Sequence, residues 1–178
     1  MKGTIYLTIG LIGTGKSTWA QKTASVTPAL IVSKDSIRQM IYGTYIFNNE
    51  LEYLVDKITD STIMNIASEI ILGIQPYKTL ILDEHHLTRK TRLSYITLIR
   101  QIEQEHNVTD FFDIQYIYFL DEMGSGLNRR CKENRGIDED QWFQIHCWQE
   151  QVCEIPTQTE LNEFNVSMIT LNTFAGEL

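Results

Sequence analysis

The run Gly10-Leu11-Ile12-Gly13-Thr14-Gly15-Lys16-Ser17 constrains the fold of this chain more than any other stretch of it. It fits the pattern G-x-x-x-x-G-K-[ST], which carries mechanical meaning when a buried strand precedes it and a helix follows. Both are here: Thr4 to Ile9 is an apolar run of strand length, and from about residue 15 to 25 the spacing turns helical. In such a loop, glycines let consecutive backbone N–H groups curl round phosphate oxygens, and the helix N-terminus adds positive potential. Gly10, Gly13, Thr14, Gly15, Lys16, Ser17 and Thr18 are therefore expected to hold the phosphates of ATP. Lys16 is expected to reach the β- and γ-phosphates, and Ser17 to ligate Mg²⁺.

The rest of the chain alternates in the same way. Apolar runs at about 4 to 9, 29 to 32, 79 to 82, 112 to 119 and 166 to 171 read as buried strands. Helical patterns lie between them, at about 15 to 25, 35 to 42, 50 to 72, 89 to 104, 122 to 133 and 139 to 152. In the fourth, Leu93, Ile96, Ile99 and Ile102 share one apolar face, Thr88 stands at the N-cap position, and Arg89 and Arg92 sit off that face. A parallel neighbour needs a crossover, and a helix fills it. The expected product is an α/β fold in three layers, a P-loop kinase architecture with a mainly parallel sheet of about five strands and a helical lid. A length of 178 residues with 43% hydrophobic content suits one domain, 1–178, with the lid at about 122 to 136. Ligands of such sheets gather at the carboxyl ends of the strands.

Two of those ends carry chemistry. The third strand closes with Asp83-Glu84, where a P-loop protein keeps a carboxylate near its metal, so Asp83 joins Ser17 as an expected Mg²⁺ ligand. The second closes with Ser33-Lys34-Asp35-Ser36-Ile37-Arg38 at the start of a helix. Three residues apart on a helix, Asp35 and Arg38 face one space. A carboxylate there accepts the proton of an attacking hydroxyl, and a guanidinium holds an anionic group of the acceptor. An N-cap and a surface charge are the plain alternative. The segment from Gly124 to Gly136 carries Arg129, Arg130 and Arg135, arginines able to close over a triphosphate, and spacing does not choose among them.

Charge narrows the partners. With 15 basic and 23 acidic side chains the formal charge is −8, which is ill suited to coating long nucleic acid. Contact with a polynucleotide must be local. Two basic runs offer it, Arg89-Lys90-x-Arg92 and Arg129-Arg130-x-Lys132 with Arg135, each equally readable as a solvated helix face. Cys131, Cys147 and Cys153 make no disulfide framework, and the neighbours His85 and His86 diverge at a strand end rather than share a metal. With no membrane-length apolar run and no cleavage-site pattern behind the first strand, the expected location is the cytoplasm.

Taken in order, Gly-Leu-Ile-Gly-Thr-Gly-Lys-Ser-Thr-Trp, Lys-Asp-Ser-Ile-Arg-Gln and Leu-Asp-Glu-His-His-Leu resemble the phage polynucleotide 5′-hydroxyl kinase family over roughly residues 3 to 152. Trp19 after the loop and Asp35-x-x-Arg38-Gln39 are the most specific matches. The resemblance implies transfer of the γ-phosphoryl group of ATP to the 5′-OH of DNA or RNA. It implies Asp35 as general base, Arg38 as the holder of the neighbouring 3′-phosphate, and Arg135 as the lid arginine, catalytic residues beside the Lys16 that the loop motif supplies. This chain departs from the family's Asp-x-Asn-Leu in having His85-His86-Leu87 after Asp83-Glu84, and it holds no Asp-x-Asp-x-Thr motif of a fused 3′-phosphatase. A kinase for a nucleotide, nucleoside or sugar-nucleotide acceptor is the nearest alternative, and a nucleotide-dependent ATPase or switch a more distant one.

Overall fold

The computed structural model describes residues 2–45, 47–121, 125–133 and 135–172. Among the described residues there are five strands: β1 (Gly3–Ile9), β2 (Ala29–Val32), β3 (Thr79–Leu82), β4 (Phe112–Leu120) and β5 (Ser167–Asn172). They form one sheet in the order β2-β3-β1-β4-β5, and every pairing is parallel. The expected three-layer α/β P-loop kinase fold is therefore what this chain adopts.

Register follows from the period-2 pattern of the strands. Ile5 pairs with Leu80 and Ile114, and Leu7 with Leu82 and Tyr116, so one face of the sheet is continuously apolar. Against that face lie α3 (Asn49–Leu72) and α4 (Arg89–Glu105), which contribute Val55, Ile63, Ala67, Ile96, Ile99 and Ile102 to the larger core. Each such buried aliphatic side chain contributes about 1.5–3 kcal/mol relative to exposure. The opposite face carries α1 (Lys16–Val26), whose Ala20 meets Ile81 and Ala29 with Tyr6 and Trp19 packed beside them. Trp19 stands edge-on to both Tyr6 and Phe119, at 5.5 and 6.0 Å between ring centroids.

The remaining helices are α2 (Lys34–Tyr42), α5 (Ser125–Cys131), α6 (Glu139–Val152) and α7 (Gln158–Phe164). Asp138 and Gln141 close a capping box at the start of α6, and Asn48 caps α3 by accepting from the Glu50 amide. Of the expected helix at 122 to 133, residues 125–131 are helical and 122–124 lie outside the described residues, as does Asn134. The short α7 has no counterpart in the sequence reading, because seven residues with Leu161 and Phe164 as their buried apolar positions show no period. Among the described residues, no helix is long and apolar enough to cross a membrane.

The apolar face of α4 is rotated from the expected one. Leu93 is 37% exposed, while Arg92 and Tyr95 take the inward positions. Arg92 is wholly buried: its Nε and Nη2 donate to the Glu160 carboxylate of α7 at 2.6 and 2.8 Å, and its Nη1 donates to the His86 and Leu87 carbonyls. Arg89 pairs with Glu163 of the same helix. The first basic run is thus neither a phosphate contact nor simply a solvated face. It fastens α4 to α7.

Candidate active site

Because β1, β2 and β3 run in register, their carboxyl ends deliver Gly10, Ser33 and Asp83 to one edge of the sheet. There Gly13, Gly15, Lys16, Ser17, Thr18, Asp35, Arg38, Asp83 and Arg135 line a single cleft of about 290 Å³. These are nearly all the residues singled out from sequence. Gly10 and Thr14 do not line it; the Thr14 hydroxyl turns into the loop and donates to the Leu11 carbonyl at 2.9 Å.

The loop needs its glycines. Gly15 caps α1 at φ 93°, a conformation that favours a residue without a side chain. Gly13, at φ 72°, lies so close to Gly126 of α5 that a Cβ would stand 1.9 Å from the Gly126 carbonyl oxygen. The first turn of α5 is therefore seated backbone to backbone on the loop. Arg129 reinforces this seat, its Nε donating to the Gly13 carbonyl at 3.1 Å.

The charged groups of the cleft hold one another. Lys16 Nζ donates to the Gly10 and Leu11 carbonyls at 2.9 and 2.6 Å. Burial lowers its pKa to about 8, against the opposing pull of Asp83. Burial raises the pKa of Asp83, whose carboxylate accepts from the Ser17 hydroxyl. Two hard oxygen groups already in contact fit Mg²⁺, which takes one or two protein ligands and completes its shell with phosphate oxygens and water.

On α2, the Arg38 guanidinium donates through Nη1 to Asp35, and through Nε and Nη2 to Glu52 of α3. Arg135 stands 3.7 Å from the other Asp35 oxygen and also donates to Glu133. Asp35 is thus flanked by two guanidinium groups. The three arginines left open by spacing now have separate places: Arg129 on the Gly13 carbonyl, Arg130 over the Trp142 ring at 5.3 Å, and Arg135 beside Asp35.

Several residues of the site were given no role of their own by the sequence. Lys34 bridges Asp56 and Glu84, and Glu84 accepts from Tyr95. Burial pushes the Glu84 pKa up to about 7, opposed by Lys34. Gln149 of α6 reaches the loop, its Oε1 accepting from the Ile12 amide at 2.8 Å. A glutamine in the middle of an amphipathic helix gives no signal of that reach.

Residues 5–112 match a family model described as an AAA domain, which is more than half of the chain. The chain belongs to the AAA domain family. Solved structures with the same fold include a fungal RNA kinase, at 16% identity and TM-score 0.66, the match covering 95% of this chain and 75% of that one. A chain of the Pnkp1/Rnl/Hen1 complex matches at 19% identity and TM-score 0.54 over 75% of this chain, which spans 40% of that chain's length. A gluconokinase from Sinorhizobium meliloti 1021 matches at 13% identity and TM-score 0.52, over 97% of this chain and 83% of that one. At such identities the likeness is one of fold, and this AAA domain shares it with kinases of nucleic acid and of sugar acids alike.

Proposed function

We propose that this protein is an ATP-dependent kinase that phosphorylates the 5′-hydroxyl end of DNA or RNA. The observation that carries the reading is the position of Asp35 and Arg38. Joined to each other, they line both the phosphate cleft and a larger neighbouring chamber, at the seam where donor and acceptor would meet. An ATPase or switch has no need of a carboxylate–guanidinium pair aimed at a second chamber.

In this reading the loop amides and Lys16 bind the triphosphate. Ser17 and Asp83 would hold Mg²⁺, which neutralises charge on the β- and γ-phosphates when bound. The Asp35 carboxylate takes the proton of the 5′-hydroxyl as that oxygen forms its bond to the γ-phosphorus and the bond to the β–γ bridging oxygen breaks, leaving ADP. Arg38 orients the acceptor through the donors that Asp35 and Glu52 leave open, and Arg135 adds positive charge beside the base. Most of the rate enhancement comes from alignment and fixed charge.

A small-molecule acceptor is the second reading, favoured by the −8 charge and by the two carboxylates that already neutralise Arg38. The test is transfer of label from γ-labelled ATP with Mg²⁺ to 5′-hydroxyl oligonucleotides, 5′-phosphorylated oligonucleotides, free nucleosides and nucleotides, and gluconate. Label confined to 5′-hydroxyl oligonucleotides supports the proposal. Label on a small molecule alone, or ATP consumption without a labelled acceptor, overturns it.

A further inference from the structure

The chamber beside the phosphate cleft has a volume of about 630 Å³, within the range of pockets that enclose a drug-sized ligand. It shares Asp35, Arg38 and Arg135 with the cleft, so whatever donates the hydroxyl must occupy it. We propose that this chamber is a nucleobase pocket, which stacks and reads the base of the acceptor's terminal nucleoside. The proposal rests on the kinase reading above and deepens it by naming what the acceptor must carry.

Three observations support it. First, four aromatic side chains line the chamber, two from the stretch before α3, Tyr45 and Phe47, and two from α6, Trp142 and Trp148. Phe47 and Trp148 are 56% and 58% exposed, so their faces are open to a flat partner.

Secondly, three of these rings are paired with the arginines of the site. Arg38 lies over Phe47 at 5.9 Å, Arg135 over Tyr45 at 4.9 Å and Arg130 over Trp142 at 5.3 Å. A nucleotide presents phosphate and base side by side, and guanidinium next to aromatic ring is the complementary arrangement. A sugar acid offers no π-face.

Thirdly, residues lining the chamber hold hydrogen-bonding atoms without a protein partner among the described residues. His86 is 2% exposed and its Nδ1 lies 2.7 Å from the Thr8 carbonyl oxygen, which only accepts. Nδ1 therefore carries the proton, and Nε2 is an acceptor with nothing bound. The Gln149 carbonyl is taken by the Ile12 amide, so its NH₂ faces His85 Nε2 at 3.2 Å. That leaves His85 Nδ1 as a donor turned toward the Gly10 backbone, and Trp142 Nε1 is a second unpartnered atom, on a side chain 6% exposed. These neutral donors and acceptors lie just behind the chamber wall with almost no accessible surface, so a base edge would meet them only after a small turn of the rings. The His85-His86 pair, where the resembled family has other residues, thus acquires a role as the chamber's polar floor.

The test compares two 5′-hydroxyl oligonucleotides that differ only in the terminal residue, one with its base and one abasic, in the wild type, Phe47→Ala and Trp148→Ala. In the wild type the abasic end should show a KM roughly tenfold or more higher, the loss of one base–aromatic stack. In both variants that ratio should fall towards one. Equal KM values for the two ends in the wild type, or variants that keep the full ratio, would overturn the pocket. If no oligonucleotide is phosphorylated, the kinase reading fails on its own, and the pocket is judged by tryptophan fluorescence. Adenosine added after saturation with a non-hydrolysable ATP analogue should quench the wild type and quench Trp148→Phe much less, whereas an absence of quenching would reject the pocket too.

Discussion

Arg38 and Arg92 have the same partners in kind and opposite surroundings. Each guanidinium is gripped in a two-pronged contact by a glutamate from another helix, Glu52 for Arg38 and Glu160 for Arg92. Arg92 has no exposure, and its remaining Nη1 is spent on two backbone carbonyls. Arg38 keeps a face toward the cleft and the chamber, and shares itself with Asp35. An ion pair sealed in the core locks the relation of α4 to α7, since losing either partner strands a charge in low dielectric. One at the cleft holds a guanidinium ready for a ligand with less effect on the fold. Burial, rather than residue type, separates the arginine sealed in the core from the one that lines the cleft.

The sharpest way to test this contrast is on the cleft side. Asp35→Asn should lower kcat by about 10²–10⁴-fold, the usual contribution of a positioned general base, while ATP affinity moves little. Single-turnover transfer of labelled phosphate and an ATP titration would check it. An unchanged rate removes Asp35 from the role of base.

On the core side, Arg92→Met should destabilise the protein by about 3–5 kcal/mol, because Glu160 is left buried and alone. The double variant Arg92→Met, Glu160→Leu should recover most of that loss. Arg38→Met should lose less, about 1–3 kcal/mol, since Asp35 is open to water while Glu52 is only partly so. Urea midpoints measure all three, and equal losses for the two single arginine variants would break the comparison.

Glu84 links the regions and predicts a pH dependence. Its pKa rises from 4.5 to about 7, chiefly by burial, so the folded state binds that proton more tightly than the unfolded chain does. The stability it lends is full below about pH 4.5 and is lost as pH rises through 7. Glu84→Gln keeps an acceptor for Tyr95 and should remove this decline, gaining about 1–3 kcal/mol at pH 8 relative to the wild type. Urea midpoints at pH 5.5 and 8 that fall in parallel for both proteins would show that Glu84 is not the titrating group.

The smallest effect belongs to Arg89. Its pair with Glu163 is about half exposed, so Arg89→Ala should cost less than about 1 kcal/mol, although Arg92 is one helical turn away. A thermal melt of Arg89→Ala beside Arg92→Met reads the ratio directly.

The strand positions and most helices were legible because a parallel sheet covered on both faces imposes continuous apolar runs, with amphipathic helices between them. The loop from Gly10 to Thr18 was legible for a different reason: its backbone geometry tolerates few sequences. What stayed hidden were contacts between elements distant in the chain. Nothing around Arg92 marks Glu160, 68 residues later, and nothing around Ile12 marks Gln149, 137 residues later. The inward turn of α4 was misjudged because Arg92 sits where a polar residue is ordinarily solvated, and only a carboxylate brought from α7 makes its burial tolerable.

By itself, then, the sequence determined the order of the strands and of all helices but α7, the phosphate-binding loop and the residues that converge at the carboxyl edge of the sheet. Each of these follows from interactions local in the chain or from a periodicity that any core must satisfy. Only the tertiary structure decided which arginines face the cleft and which are sealed in the core, which of Arg129, Arg130 and Arg135 stands beside Asp35, and that the two histidines share a chamber with four aromatic rings. Those choices depend on burial and on partners supplied by packing, and neither is written in the spacing of a single chain.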